Sequence, residues 1–347
     1  ITCRDWSSDV CSSDLLELTL QNGRDPRTGR PLGPATGDPR TFESYEELFA
    51  AFRRQLRHFI ELKIRGSRLI ERMYADHMPA PFLSVLIDDC IVKGRDYNAG
   101  GARYNNTFIQ MVGLGSITDS LSALKEFCFE GQGGNGHDSV PLPRLLQALA
   151  EDFAHDELLR LRLVNRARKY GNDDDEADRL MLDVFNACFE EVDNRPDARG
   201  GRYRVEMLPT TCHVYFGSVT GAMPDGRKAR LPLSEGISPV QGADRQGPTA
   251  VMLSAAKMDH VKTGGTLLNL KFHPDLVSSP GNLGKWGQLV RSYFKLGGHH
   301  VQFNVVTAET LRQAQADPES HRDLIVRVAG YSDYFCRSEE RRVGKEC

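Results

Sequence analysis

The chain has 347 residues, of which 40% are hydrophobic and 26% charged, an ordinary composition for a protein with a large core. Its 44 Lys and Arg residues nearly balance its 47 Asp and Glu residues, and the formal net charge of −3 argues against nucleic-acid binding. No apolar stretch is long enough to cross a membrane, so we expect no membrane segment.

The two ends of the chain show no helical or strand periodicity. Residues 1–15 repeat Ser-Ser-Asp, and residues 337–347 (RSEERRVGKEC) follow a clear strand and loop without any pattern of their own. Both segments look like translated sequencing-adapter DNA, and we predict that they are artefacts outside the fold; genuine disordered tails are the alternative. The interpretable body is then 16–336.

The cysteines of this body predict a reducing compartment. The body contains an odd number of them, without CxxC spacing, and no signal peptide precedes them: Cys90, Cys128, Cys188, Cys212 and Cys336. This set fits neither a disulfide framework nor a zinc site. We therefore expect a cytoplasmic protein, and we predict no metal site.

A regular pattern of apolar residues begins at Leu16–Leu20. Residues 21–40 are rich in Gly, Pro, Asp and Asn, which predicts a connector with several turns. Apolar residues then recur every three or four positions from Tyr45, which predicts an amphipathic helix to about Met73, and Ser44-x-x-Glu47 offers a capping box. After Pro79-Ala80-Pro81, the apolar residues 82–87 are interpreted as a buried segment.

Helices and short apolar strands alternate through the rest of the body. Further helices are predicted at 119–130, 142–168, 176–192, 282–295 and 308–316. Strands are predicted at 211–217, 299–306 and 324–328. Such alternation is typical of an α/β architecture in which helices cover the strands.

Gly330 interrupts the last of these strands, within Arg327-Val328-Ala329-Gly330-Tyr331. Glycine inside a strand usually marks a bulge, a bend or a close approach of another backbone. A glycine Cα can also hold an unpaired electron, because the amide nitrogen donates to it, the carbonyl withdraws from it and no Cβ prevents planarity.

RVAGY near a chain end resembles the radical-bearing loop of glycyl radical enzymes, the family that includes pyruvate formate-lyase. Other segments resemble the dehydratase branch of that family, in family order: DYNAGGARYN (96–105), MPDGRK (223–228), PLSEGISP (232–239), GPTAV (247–251), KMDH (257–260), GGTLLN (264–269) and GGHHVQFNVV (297–306). Five residues alone recur by chance, whereas the ordered set spans essentially the whole body. The sequences of these segments are most similar to those of the members that dehydrate hydroxyproline.

The resemblance implies the C-terminal part of a ten-stranded α/β barrel with surrounding helices. It places the pyruvate formate-lyase-like part at 16–206 and the glycine radical domain at 207–336, with the radical loop at 325–335. It implies no bound cofactor, because a separate radical-SAM activating enzyme installs the radical on Gly330. A small-molecule substrate and a homodimer of the full-length protein are further implications.

In the family, the glycyl radical takes hydrogen from a cysteine, whose thiyl radical then attacks the substrate so that water leaves. That cysteine belongs to a Gly-Cys-x-Glu loop, which this sequence does not contain. We therefore expect a fragment without activity of its own. Formate acetyltransferase, another C–C, C–N or C–S lyase, and a non-enzymatic radical-loop accessory protein remain alternatives.

Four more residues are candidates for the site. Arg327 and Tyr331 flank the radical position and are expected to support the loop. Thr210 and Thr211 open the predicted strand 211–217, and the resemblance places this segment in the substrate pocket. The alternative is a turn in which Thr210 bonds its own backbone.

Simpler interpretations are available for the other motifs. The glycine spacing does not fit the GxGxxG or GxxxxGK[ST] motif of a phosphate loop. We therefore expect backbone segments to pass closely at Gly100, Gly101, Gly113 and Gly115. PDGR predicts a turn, with Arg227 bonded to a carboxylate or to backbone carbonyls. Strand alternation would place His213 and Tyr215 on one face, as core or network residues.

Overall fold

The computed structural model describes residues 9–130, 139–328 and 331–336. Its strands are β1 (Asp9–Cys11), β2 (Thr107–Val112), β3 (Tyr203–Met207), β4 (Thr263–Thr266), β5 (Leu268–Phe272), β6 (Val301–Val305), β7 (Ile325–Val328) and β8 (Tyr331–Tyr334). Its α-helices are α1 (Ser12–Leu20), α2 (Tyr45–His77), α3 (Pro81–Ser84), α4 (Asp88–Lys93), α5 (Leu114–Ala123), α6 (Leu142–Ala150), α7 (Glu157–Arg166), α8 (Asp175–Val192), α9 (Cys212–Val219), α10 (Gly247–Ala256), α11 (Pro280–Lys295) and α12 (Ala308–Ala316). A π-helical turn, Leu124–Phe129, continues α5.

The strands form two parallel sheets and one hairpin. Strands β1 to β4 pair in chain order and are all parallel, and β5 pairs in parallel with β6. Helices separate most of the successive parallel strands, as parallel pairing requires. The predicted α/β class is confirmed. Strands β7 and β8 form an antiparallel pair in which Val328 faces Tyr331.

The core lies between the larger sheet and the helices around it. Helix α2 buries an i, i+4 series, including Phe52, Leu56 and Ile60, all fully buried. Its predicted cap is present, because the Ser44 hydroxyl accepts a hydrogen bond from the Glu47 N–H at 3.2 Å. Helix α5 is buried on every side and packs against α8.

The predicted strand 211–217 is wrong, because Cys212–Val219 is the helix α9. A short apolar run bounded by turns fits a buried helix as well as a buried strand, and periodicity does not separate them. In the helix, Phe216 and Gly217 face the core, while Tyr215 is exposed. The prediction that His213 and Tyr215 share one face of a strand is therefore wrong as well.

The prediction that 82–87 is buried is also wrong. Pro81 begins the one-turn helix α3, and the side chains of Phe82, Val85 and Leu86 are 80%, 60% and 69% exposed. Among the described residues, no neighbouring element covers this one-turn helix, so its apolar side chains stay exposed.

Three element boundaries differ from the sequence prediction. The helix predicted at 142–168 is two helices, because Asp152 and Phe153 have positive φ angles of 50° and 59°. The helix predicted at 119–130 starts earlier, at Leu114. Regular structure begins before Leu16: α1 starts at Ser12, and Leu15 is 4% exposed.

The four glycines predicted to lie where segments pass closely do so. A Cβ atom on any of Gly100, Gly101, Gly113 or Gly115 would lie 2.8 Å or less from another segment. At Gly100 it would lie 2.1 Å from the Arg199 carbonyl oxygen, and the φ angle of +85° independently favours glycine. Among the described helices, none is long and apolar enough to cross a membrane.

Candidate functional site

Strands β7 and β8 contain the described residues of the RVAGY segment, Arg327, Val328 and Tyr331. Gly330 and Ala329 lie outside the described residues, as does the side chain of Tyr331. The flanking strands are described, and their register pairs Arg327 with Ser332 and Val328 with Tyr331. The structure therefore gives the setting of the predicted radical position, and the roles of Gly330, Arg327 and Tyr331 stay predictions.

Arg327 is anchored through its backbone and its side chain. Its N–H donates to the Asn304 Oδ1 atom at 2.7 Å, and its carbonyl oxygen accepts from the Asn304 Nδ2 atom at 2.9 Å. Its guanidinium donates to the Ser332 hydroxyl at 2.7 Å, across the hairpin. Asn304 on β6 thus connects the hairpin to the smaller parallel sheet.

A cavity of about 610 Å³ adjoins this connection. Asn304 and Arg327 line it, together with Asn269 and Lys271 of β5. Asn304 was not among the residues predicted from the sequence. The available signal was the strand VQFNV, in which the polar Gln302 and Asn304 occupy alternate positions of an otherwise apolar run.

Thr210 and Thr211 follow the carboxyl end of β3, in the turn before α9. The Thr210 hydroxyl accepts a hydrogen bond from the Cys212 N–H at 3.4 Å, and the Thr210 carbonyl oxygen lies 2.7 Å from His213 Nδ1. Both threonines are half-buried. Carboxyl ends of parallel strands are where α/β proteins bind ligands, and the turn geometry accounts for only one of the hydroxyl's bonding positions.

Arg227 has the structural role expected from the PDGR motif. The Asp225 carboxylate accepts the Arg227 N–H at 3.0 Å, and Gly226 has a φ angle of +91°. The guanidinium donates to backbone carbonyl oxygens of the surrounding loop, those of Gly217, Thr220, Gly221 and Leu231. Arg227 therefore holds the segment after α9 in shape.

Asp119 is a buried carboxylate at the same cavity, and it was not among the residues predicted from the sequence. Its side chain is 1% exposed; Oδ1 accepts the Tyr170 N–H at 2.9 Å, and Oδ2 has no hydrogen-bond partner among the described residues. Burial raises the pKa of Asp119 to about 7, although the positive charge of Lys169 opposes the rise. Asp119 therefore changes its proton occupancy near neutral pH.

The described cysteines divide by burial. Cys90, Cys128 and Cys188 are buried, and burial raises the pKa of Cys128 to about 12, which disfavours its thiolate. Cys212 is half-buried at the start of α9. No cysteine of the sequence follows a glycine, so the family's Gly-Cys-x-Glu motif is absent from these 347 residues.

The acidic run at 171–178 caps a helix and binds a lysine. The Asp174 side chain accepts the N–H groups of Glu176 and Ala177 at the start of α8. The Lys257 ammonium lies 3.0, 2.8 and 2.7 Å from the carboxylates of Asp173, Asp175 and Asp178. These carboxylates thus have a partner within the protein.

Comparison with known proteins agrees with this architecture. The family model described as Pyruvate formate lyase-like matches residues 11–217, and the one described as Glycine radical matches residues 233–336. The chain is 53% identical to a trans-4-hydroxy-L-proline dehydratase of Clostridioides difficile over 321 residues, which cover 92% of this chain and 40% of that protein.

Solved structures give the same result. A crystal structure of hydroxyproline dehydratase from Clostridioides difficile with trans-4-hydroxy-L-proline bound matches 96% of this chain, with a TM-score of 0.91 and 51% identity. The glycerol-bound B12-independent glycerol dehydratase from Clostridium butyricum matches 97%, with a TM-score of 0.91 and 37% identity. In both cases the match covers 42% of the solved chain. The chain spans about 40% of the length of these relatives, and it belongs to the pyruvate formate lyase-like family of glycyl radical enzymes.

Proposed function

We propose that this chain is the radical-bearing portion of a glycyl radical dehydratase, with the unpaired electron on Gly330. The observation that carries the proposal is the setting of the RVAGY segment. Strands β7 and β8 flank Gly330, and Asn304 bonds Arg327 at the edge of a large cavity. The high identity to a trans-4-hydroxy-L-proline dehydratase supports the same reaction class.

The proposed chemistry moves one hydrogen atom at a time. The Gly330 Cα radical takes hydrogen from a cysteine thiol, so that a C–H bond forms and an S–H bond breaks. The thiyl radical then takes hydrogen from a substrate carbon next to the carbon that bears the hydroxyl group. The C–O bond breaks as a general acid protonates the leaving hydroxide to water, and the radical cation that remains returns a proton to the conjugate base of that acid. The product radical finally recovers hydrogen from the thiol.

We propose that the cysteine of this relay is supplied by protein outside these 347 residues. No cysteine here has the family's sequence context, and the chain spans only about 40% of its relatives. The chain on its own is then expected to hold a radical without turning over substrate.

The proposed substrate is a small hydroxylated compound with a carboxylate, of the trans-4-hydroxy-L-proline type. Thr210 and Thr211 are the proposed contacts, since they follow the carboxyl end of β3. The Thr210 hydroxyl already accepts the Cys212 N–H, so its own proton can be donated to a substrate oxygen.

The remaining requirements are proposals from the family. A radical-SAM activating enzyme would remove the hydrogen atom from Gly330, and no other cofactor would be bound to the chain. A homodimer of the complete protein and a cytoplasmic location complete the proposal. The location is supported by Cys90, Cys128, Cys188, Cys212 and Cys336, which form no disulfide.

Electron paramagnetic resonance tests the proposal. After anaerobic incubation with a radical-SAM activating enzyme, we expect a doublet from the single α-hydrogen of Gly330. The substitution Gly330→Ala should abolish the doublet, because the Cβ hinders the planar radical. Gly284→Ala is the matched control, because Gly284 lies in α11 and an added Cβ would meet nothing within 4 Å. A doublet that survives Gly330→Ala would place the radical elsewhere.

A further inference from the structure

The hairpin has a small core of its own. Val326 and Phe335 are buried against Ala314 of α12, with Leu311, Leu324 and Cys336 packed around them. This cluster is separate from the large core. Among the described residues, the hairpin's buried apolar contacts are therefore with α12, and they do not fix its position on the parallel sheet.

The Asn304 side chain supplies that connection. A primary amide offers one acceptor and two donors in a plane, and Asn304 uses Oδ1 and Nδ2 on the N–H and C=O of a single residue, Arg327. A neighbouring strand bonds a residue in the same way. Asn304 thus acts as a one-residue extension of the sheet and fixes the register of β7.

The position of this bond matters for the radical site. Arg327 is three residues before Gly330, and both Asn304 and Arg327 line the cavity. Hydrogen transfer requires reacting atoms about 3–3.5 Å apart, and small displacements reduce the rate strongly. A residue that fixes Arg327 therefore also limits where Gly330 can lie.

We propose that Asn304 is the positioning residue of the radical-bearing hairpin. Its amide holds β7 against β6 and so keeps the hairpin closed on the cavity. Among the described residues, its amide bonds the Arg327 backbone, and it acts through that contact. The consequence for the radical rests on the proposed function, whereas the holding of the hairpin does not.

Two substitutions of similar size remove the bonds in steps. Asn304→Asp keeps the acceptor for the Arg327 N–H but loses the donor to its carbonyl oxygen, and Asn304→Leu loses both. Asn269→Leu is the matched control, because Asn269 lies on the paired strand β5 and lines the same cavity, while its Nδ2 atom donates to Glu235.

Hydrogen exchange of the 347-residue chain measures the hairpin directly. Relative to wild type, exchange at 325–328 should accelerate about fivefold in Asn304→Asp and about twenty-five-fold in Asn304→Leu, since each hydrogen bond contributes roughly a factor of five. Asn269→Leu should leave these amides unchanged. Unchanged exchange in Asn304→Leu, or an equal effect of Asn269→Leu, would overturn the positioning role.

The activated chain gives a second, independent readout. If oxygen reaches the radical through opening of the hairpin, loss of the doublet in air should accelerate in each Asn304 variant by the same factor as the exchange. Equal radical lifetimes in wild type and Asn304→Leu would contradict the link to the radical. A wild-type chain that never forms a doublet would instead contradict the proposed function, and hydrogen exchange would still decide whether Asn304 holds the hairpin.

Discussion

The large core and the radical-loop hairpin are held in place by different amounts of contact. The large core joins α1, α2, α5 and α8 to the four-stranded sheet, and side chains such as Phe52 and Ile117 are fully buried in it. Among the described side chains of the hairpin segment, Val326 and Phe335 are buried, against Ala314 of α12, and Asn304 adds two hydrogen bonds. Its local free energy of opening should therefore be much smaller than that of the whole chain.

This difference suits the proposed chemistry. The parallel strands of the barrel must be rigid, because the loops at their carboxyl ends have to be held in place. A radical position that a second enzyme must reach needs a segment that can leave the frame without unfolding it. Substitutions in the two regions should then produce different kinds of change, and the comparison can be tested on that basis.

The largest expected effect is in the large core. Phe52→Ala removes a fully buried ring that packs against Phe49, with centroids 5.8 Å apart. The lost burial and the resulting cavity should lower the free energy of unfolding by about 3–5 kcal/mol, measured by urea denaturation. Phe82→Ala is the control, because Phe82 is 80% exposed, and its effect should stay within about 0.5 kcal/mol. Similar losses from both substitutions would mean that burial does not determine the stability.

The next effect is the pH dependence of the large core. The folded protein raises the pKa of Asp119 to about 7, from 3.8, mainly through burial. Between these pH values the Asp119 carboxyl keeps its proton in the folded state and has lost it in the unfolded state. The contribution of Asp119 to the free energy of unfolding is therefore greatest at low pH and falls as the pH rises towards 7. The total loss is roughly 4 kcal/mol.

Asp119→Asn should remove this contribution, because the amide stays neutral and keeps the acceptor for the Tyr170 N–H. Urea denaturation between pH 5 and pH 8 should show a smaller loss of stability in Asp119→Asn than in wild type. Lys169 and Asp225 also face Asp119, and their charges oppose and reinforce the shift respectively. Asp88→Asn, at an exposed carboxylate, is the control. Parallel pH profiles for wild type and Asp119→Asn would contradict the assignment.

Much of the frame could be predicted from sequence because it depends on local rules. The periodicity after Tyr45 predicted α2, Ser44 predicted its cap, and the order of the motifs predicted the family. The glycine motif predicted close backbone contacts at Gly100 and Gly115. For the helix, its cap and the glycines, the information lies within a few residues of the element that it determines, whereas the family is indicated by motifs along the whole body.

The failures have a common physical origin in tertiary contact. Residues 212–219 are apolar in a way that fits a strand or a helix, and only the surrounding elements decide between them. The titration of Asp119 depends on the burial of α5 on every side. The pairing of Asn304 with Arg327 joins residues 23 positions apart, so no local pattern could reveal it.

The smallest effect is expected in the hairpin, and it should be local. Val326→Ala removes two methyl groups from the cluster with Ala314 and Phe335, at about 2 kcal/mol of local stability. Trypsin cleavage after Arg327 should accelerate, because it requires the hairpin to open, while the urea midpoint of the whole chain stays the same. Ile325→Ala, at the exposed neighbour, should change neither. If Val326→Ala shifted the global transition as Phe52→Ala does, the hairpin would unfold together with the frame, and its separate opening would be refuted.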